Sequence, residues 1–275
     1  MEVSSLFSVK NKIVLITGGG RGIGRMIAEG FVRNGAKVYI ASRNRAVCEK
    51  VAAELNTQGL GTCIALQGDV STEKGCNQLA QQFTSLESAL DVLVNNAGVA
   101  TPTAFDKHDE KIWQETFSLN VMATYFLVRD LLPQLDQAAN SNGSARVINI
   151  GSVTGYTASK MDVMSYDASK AAIHHLTSVL AAKLARRPNG GHINVNGIAP
   201  GVCPTDMTEQ IRSAAGSTFN TMGKALPLER CGDAKDMAGV AIFLASRASE
   251  WVTGVVIIAD GGQITARFRM SLAKL

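Results

Sequence analysis

Short apolar runs alternate along the chain with longer stretches in which apolar residues recur every three or four positions. The runs are residues 13–16, 37–41, 62–66, 90–94, 146–150, 192–197 and 255–258. They are rich in Val and Ile and largely free of polar residues, which predicts strands buried on both faces. Between them, residues 25–32, 46–57, 71–86, 111–132, 166–187 and 233–245 carry helical periodicity. Asn34-Gly35 and Pro188-Asn189-Gly190-Gly191 read as stop signals, and the helix over 111–132 is expected to end before Pro133. Residues 140–145 form a polar loop, and residues 202–230, rich in Thr, Ser, Ala and Gly, predict a helical flap. Strict alternation without repeat or linker predicts one domain over residues 1–275. Its expected architecture is an α/β doubly wound parallel sheet of about seven strands, with helices on both faces and a ligand across its C-terminal edge.

Composition narrows the partners rather than the fold. The 275 residues are 46% hydrophobic and 18% charged, with a net charge of +4. The basic residues are scattered and not interleaved with aromatics, which argues against nucleic acid. No apolar run reaches a membrane span, and residues 1–10 lack a signal core. The five cysteines, Cys48, Cys63, Cys76, Cys203 and Cys231, are far apart with no C-x-x-C pair. They read as reduced thiols of an intracellular protein, and no metal site is predicted.

Chemistry enters at Thr17-Gly18-Gly19-Gly20-Arg21-Gly22-Ile23-Gly24, between the first strand and the first helix. Residues without a β-carbon let backbone approach a diphosphate, and the helix N-terminus offers unpaired amides. The next strand ends at Ser42-Arg43. A carboxylate there would bind the adenosine ribose and repel a 2′-phosphate. Two guanidiniums, Arg21 and Arg43, and no carboxylate favour NADP(H) over NAD(H), although two solvated surface arginines would look the same. Asp69-Val70 closes the third strand, where the carboxylate could accept from an adenine amino group or cap the following helix. Asn95-Asn96-Ala97-Gly98 closes the fourth, and its asparagines could equally bridge strands.

Together, Thr-Gly-x-x-x-Gly-x-Gly and Asn-Asn-Ala-Gly resemble the short-chain dehydrogenase/reductase family. Asn120, Ser152, Tyr166-Asp167-Ala168-Ser169-Lys170, Pro200-Gly201 with Thr205, and Asp260-Gly261-Gly262 follow in the family's order. The resemblance spans residues 8 to 264 and implies a Rossmann-type fold. It implies cofactor contacts at Gly18, Arg21, Gly22, Ile23, Gly24, Ser42, Arg43, Asp69, Val70, Asn96, Ala97, Gly98, Tyr166, Lys170, Pro200, Gly201 and Thr205. Of these, Thr205 would bond the nicotinamide carboxamide, Lys170 the nicotinamide ribose, and Asp69-Val70 would bracket adenine. It also implies a homotetramer built on the helices over 111–132 and 166–187.

Ketone reduction needs a hydride and a proton for the developing alkoxide. Tyr166 and Lys170 stand at i and i+4, sharing a helix face, so the ammonium is expected to lower the phenol from its usual pKa of about 10. By resemblance, Ser152 orients the carbonyl and Asn120 holds a water that extends the relay from Lys170. Tyr156 and Lys160 repeat the Tyr-x-x-x-Lys spacing, but Tyr166 heads the long helix and Tyr156 lies too close to Ser152. The loop between Ser152 and Tyr166 is one residue longer than usual in the family. His174 and His175 are expected to serve packing or a subunit contact.

The expected reaction is NADPH-dependent reduction of a ketone, with a 3-oxoacyl thioester as the leading substrate. That choice rests on resemblance to the family's 3-oxoacyl reductases, including the rhamnolipid-associated branch, through residues 147–153, the longer loop and Ile198-Ala199-Pro200-Gly201. Polyketide, steroid, polyol and xenobiotic ketones stay open, as does an idle NADPH-binding protein. Ala273-Lys274-Leu275 resembles a peroxisomal address, which implies the import receptor as a partner and otherwise a cytoplasmic enzyme.

Overall fold

A computed structural model describes residues 2–139, 143–214 and 216–265. Seven parallel strands carry the fold: β1 (Ile13–Thr17), β2 (Lys37–Ser42), β3 (Thr62–Gln67), β4 (Val92–Asn95), β5 (Ala145–Ile150), β6 (Ile193–Pro200) and β7 (Val256–Ala259). They pair in the order β3-β2-β1-β4-β5-β6-β7. The chain winds outward from β1 to β3, then returns to β4 and winds the other way. A switch point therefore lies between β1 and β4, where such sheets bind ligands.

The helices are α1 (Val3–Leu6), α2 (Gly22–Arg33), α3 (Arg45–Asn56), α4 (Glu73–Thr84), α5 (Glu110–Phe117), α6 (Ala123–Asp130), α7 (Leu132–Ala138), α8 (Met164–Leu184), α9 (Asp206–Ala214), α10 (Phe219–Lys224) and α11 (Ala234–Ala245). Asn44, Thr72 and Asp109 cap α3, α4 and α5 through their side chains, and Asp233 forms a capping box with Asp236 on α11.

Alternate strand residues feed two apolar layers. Val14, Ile16, Val38, Ile40 and Ile148 pack with Ile27 and Phe31 of α2, Val51 of α3 and Leu244 of α11. Leu15, Tyr39, Leu93, Val147 and Val195 pack with Phe83 of α4, Leu127 of α6 and Leu184 of α8. Burial on both faces is why the strands read as unbroken apolar runs.

The long helix expected over 111–132 is three pieces. A π-helical turn, Ser118–Met122, separates α5 from α6, and the Ala123 amide reaches back five residues to the Ser118 carbonyl. The last piece, α6, ends at Asp130, before Pro133 as expected, and Pro133 sits in the first turn of a separate helix, α7, where its missing amide costs nothing. The expected flap is α9 and α10. Strand β4 starts at Val92 rather than at residue 90, and β6 runs on through Pro200. Residues 140–142 of the expected loop and the tail from 266, including Ala273-Lys274-Leu275, lie outside the described residues. No described helix is long and apolar enough to cross a membrane.

Candidate active site

The glycine turn is shaped by what its neighbours leave room for. Gly18 and Gly22 adopt φ of +66° and +53°, in the left-handed region. A Cβ on Gly24 would lie 2.5 Å from both Asn96 Nδ2 and the Gly18 carbonyl oxygen. Asn96 Nδ2 donates to the Thr17 and Gly18 carbonyls at 2.9 and 3.2 Å. Thr17 Oγ1 accepts from the amides of Asn96 and Ala97, both at 3.1 Å. The Asn-Asn-Ala-Gly segment thus locks the turn from beneath. Arg21 occupies the N-cap of α2 without a capping side chain, leaving the first amides, including that of Ile23, free for an anion.

Beside the turn, Ser42 Oγ donates to the Asn44 carbonyl at 2.9 Å, and Arg43 is exposed. The Arg21 guanidinium reaches Asp206, the first residue of α9, at 3.4 Å. Asp69 Oδ1 accepts the Ser71 amide at 3.0 Å, while the cap of α4 is Thr72. Thr205 stands over the turn: a Cβ on Gly22 would come within 3.3 Å of its Cγ2. Gly201, after Pro200, is held close to Asp260, whose Cα would lie 2.7 Å from an added Cβ. Bare amides, space kept by glycine, two arginines and no carboxylate at the end of β2 fit a dinucleotide with a 2′-phosphate.

The catalytic candidates converge where β5 meets α8. Ser152 follows β5, and its Oγ accepts from the Thr154 amide and hydroxyl, both at 3.1 Å. Lys170 is buried, donates from Nζ to the Ile150 carbonyl at 2.8 Å, and lies 5.4 Å from the Tyr166 ring centroid. Desolvation lowers Lys170 to about 8. Desolvation also pushes Tyr166 up to about 12, against a hydrogen bond with Ser152 that pulls it down. The expected lowering of the phenol by Lys170 is therefore corrected: removal from water dominates.

Residues 12–216 match the family model for the short chain dehydrogenases. The chain belongs to the short-chain dehydrogenase/reductase family. It is 41% identical over 256 residues to a rhamnolipids biosynthesis 3-oxoacyl-[acyl-carrier-protein] reductase of Pseudomonas aeruginosa, covering 93% of this chain and 97% of that one. It is similar to the solved RhlG/NADP active-site complex of Pseudomonas aeruginosa, with a TM-score of 0.87 and 40% identity over 95% of this chain and 99% of that one. A short-chain dehydrogenase/reductase of Diaporthe leptostromiformis, PhomF′, is 34% identical over 95% of this chain and 94% of its own. Membership makes the chain an oxidoreductase of hydroxyl and ketone groups.

Other residues of this short-chain dehydrogenase/reductase support the centre. Asn120, buried in the π-helical turn, accepts the Val99 amide at 2.8 Å and donates to the Val99 carbonyl and Ser169 Oγ at 2.9 and 3.0 Å. Its side chain thus ties the segment after β4 to α8. Asn95 Nδ2 donates to Asn149 Oδ1 at 3.0 Å, bridging β4 and β5 as one of the two sequence readings had it. Tyr156 packs its ring 4.5 Å from that of His174. Sequence reasoning passed over His108 and gave His174 only a packing or subunit-contact role. His108 Nε2 meets Ser165 Oγ at 2.9 Å, joining the 99–109 segment to the start of α8. His174 does more than pack: its Nε2 accepts the Ser152 amide at 3.4 Å. Its position one turn beyond Lys170 was the available signal.

Proposed function

We propose that the protein is an NADPH-dependent ketone reductase, with a 3-oxoacyl thioester as its leading substrate. The observation that carries the reading is the placement of Tyr166 beside Ser152, with the buried Lys170 ammonium over its ring at 5.4 Å. The substrate class rests on the name of the Pseudomonas aeruginosa relative, and the NADP preference on Arg21 and Arg43. The diphosphate would lie on the amides of Gly22, Ile23 and Gly24 beside Gly18, with Asn96, Ala97 and Gly98 bracing that ledge. Arg21, Ser42 and Arg43 would hold the 2′-phosphate, Asp69 and Val70 the adenine, and Pro200, Gly201 and Thr205 the nicotinamide side. NADPH supplies the hydride.

The remaining chemistry belongs to the chain. Thr154 occupies the acceptor sites of Ser152 Oγ, which turns that hydroxyl's hydrogen toward the Tyr166 oxygen, where a substrate carbonyl would compete for it. A phenol at about 12 holds its proton at neutral pH and is set to deliver it to the alkoxide. Lys170 carries its charge below about 8 and stabilises the phenolate that results. Asn120 braces the wall through which the proton is replenished by way of water. The working assembly is a homotetramer, and the tail directs the chain to the peroxisomal import receptor; without that use it is cytoplasmic.

NADPH oxidation, with NADH in parallel, is the test, run against acetoacetyl-CoA, longer 3-oxoacyl thioesters and bulky ketones. Thioester turnover with NADPH, lost in Tyr166→Phe while NADPH still binds, is the expected result. Activity confined to bulky ketones would keep the chemistry and change the substrate class. Tyr166→Phe turning over at the wild-type rate would end the reading.

A further inference from the structure

Resting on the reductase reading above, we propose that His174 is a positioning residue: its Nε2 holds the Ser152 backbone amide and so fixes the strand end that carries the substrate-orienting hydroxyl. Tyr166, Lys170 and His174 stand at i, i+4 and i+8 of α8 and share one face. Lys170 Nζ takes the Ile150 carbonyl at 2.8 Å, and His174 Nε2 takes the Ser152 amide at 3.4 Å. One helix face therefore grips β5 on both sides of Gly151.

The surroundings are cut to the imidazole. A Cβ on Gly151 would lie 2.2 Å from His174 Nε2, and one on Gly155 would lie 2.5 Å from its Cε1. Only residues without a side chain admit the ring there. Tyr156 packs against it at 4.5 Å, with the ring planes 38° apart. To accept the Ser152 amide, Nε2 must be bare, which places the proton on Nδ1. Nδ1 is buried, with no hydrogen-bond partner among the described residues. Burial and the nearby Lys170 charge push the imidazole down to about 4, so it stays neutral and able to accept.

An apolar side chain would fill the same space without leaving a buried N–H unmatched. The imidazole is therefore explained by the bond it makes to Ser152, not by the volume it fills. Loss of that bond frees the turn of residues 153–155, and with it the direction of the Ser152 hydroxyl. Misplacement of a positioned group by about 1 Å costs on the order of 100-fold in rate.

His174→Leu removes the acceptor and keeps the volume, whereas His174→Gln keeps an acceptor. In the full-length enzyme, NADPH affinity by cofactor fluorescence should stay within about twofold in both, showing that the fold and the glycine turn survive. The Leu variant should lose about 10- to 100-fold in kcat with little change in substrate KM, and Gln should recover most of that loss. Hydrogen–deuterium exchange over residues 150–156 should speed up in Leu and remain near wild type in Gln. Wild-type kcat in Leu, or equal loss in both variants, would overturn the proposal, since packing alone would then explain the residue. If the wild type reduces no ketone, the reductase reading fails on its own, and the exchange comparison still decides whether His174 holds Ser152: no faster exchange in Leu would reject it.

Discussion

Desolvation moves two neighbours on α8 in opposite directions, Tyr166 up to about 12 and Lys170 down to about 8. Each keeps its neutral form more readily, because burial penalises charge of either sign. The consequence for reduction follows from the lysine. Below about 8 it is charged and stabilises the phenolate left by proton transfer; above that, the support is lost. We expect kcat/KM for NADPH-dependent reduction to be level near pH 7 and to fall as pH rises through about 8, approaching tenfold per unit. A steady-state pH profile checks this, and a rate flat to pH 10 would remove Lys170 from the proton path. Because the folded value lies below the ordinary 10.5, the unfolded chain binds more protons between about 8 and 10.5, so the charged lysine costs the fold stability at neutral pH and the cost fades as pH rises. Of the four catalytic candidates, Tyr166 and Lys170 stood out in the sequence by their spacing, and Asn120 and Ser152 by the family resemblance; the structure gathers Ser152, Tyr166 and Lys170 at the junction of β5 and α8. The direction of the Tyr166 shift and the role of His174 were not legible in the sequence, because both depend on what α8 is packed against.

Elements were legible wherever a local pattern forms them. Seven strands in a doubly wound sheet follow from apolar runs and alternation, while the strand order that sets the switch point and the break in the 111–132 segment do not. That π-helical turn coincides with bonds from Asn120 to Val99 and Ser169, partners 21 and 49 residues away. No local propensity records such partners. The glycine turn allows a paired test. Gly24→Ala would drive a Cβ into Asn96 Nδ2 and the Gly18 carbonyl, both at 2.5 Å, and the carbonyl is backbone with nowhere to move. Gly20→Ala meets Val47 Cγ1 at 3.1 Å and Cys48 Sγ at 3.3 Å, whose side chains can yield, and backbone no nearer than the Cys48 nitrogen at 3.7 Å, an ordinary contact. Gly24→Ala should therefore lose about 1–3 kcal/mol of stability and at least tenfold in NADPH affinity. Gly20→Ala should stay near wild type. Thermal melts and cofactor titration of the pair check it, and equal behaviour would contradict the packing argument.

At the scale of the whole molecule, two groups among the exposed apolar side chains bear on assembly. Trp113 of α5, Met122 of the π-helical turn, Tyr125 of α6 and Val179 of α8 are exposed on the helices that the family resemblance assigns to subunit contacts. At the β7 end of the sheet, Trp251 is 98% exposed, with Leu228, Val255 and Ile258 also exposed. Patches of this kind mark association surfaces, and two of them per chain suit a closed assembly of four. Light scattering should return a tetramer, and Tyr125→Glu should split it into dimers that persist through the β7 end. A monomeric wild type would refute the assembly. The sequence supplied the helical face by resemblance, whereas the β7 face appeared only once the edge of the sheet was known.

The strand order also sets a sequence of events in time. During synthesis β1, β2, β3 and β4 emerge first, and within the sheet they need only one another until β5 joins β4. The strands and the turn that form the nucleotide ledge therefore precede in the chain the segment after β5 that carries Ser152. One side of that early half remains partly uncovered, because part of the apolar layer on α2 comes from α11, late in the chain. At Gly30 the two helices approach so closely that an added Cβ would lie 2.4 Å from that of Ala238. The newborn protein would thus keep part of the apolar face of α2 open to wrong partners until the late arrival of α11 covers it.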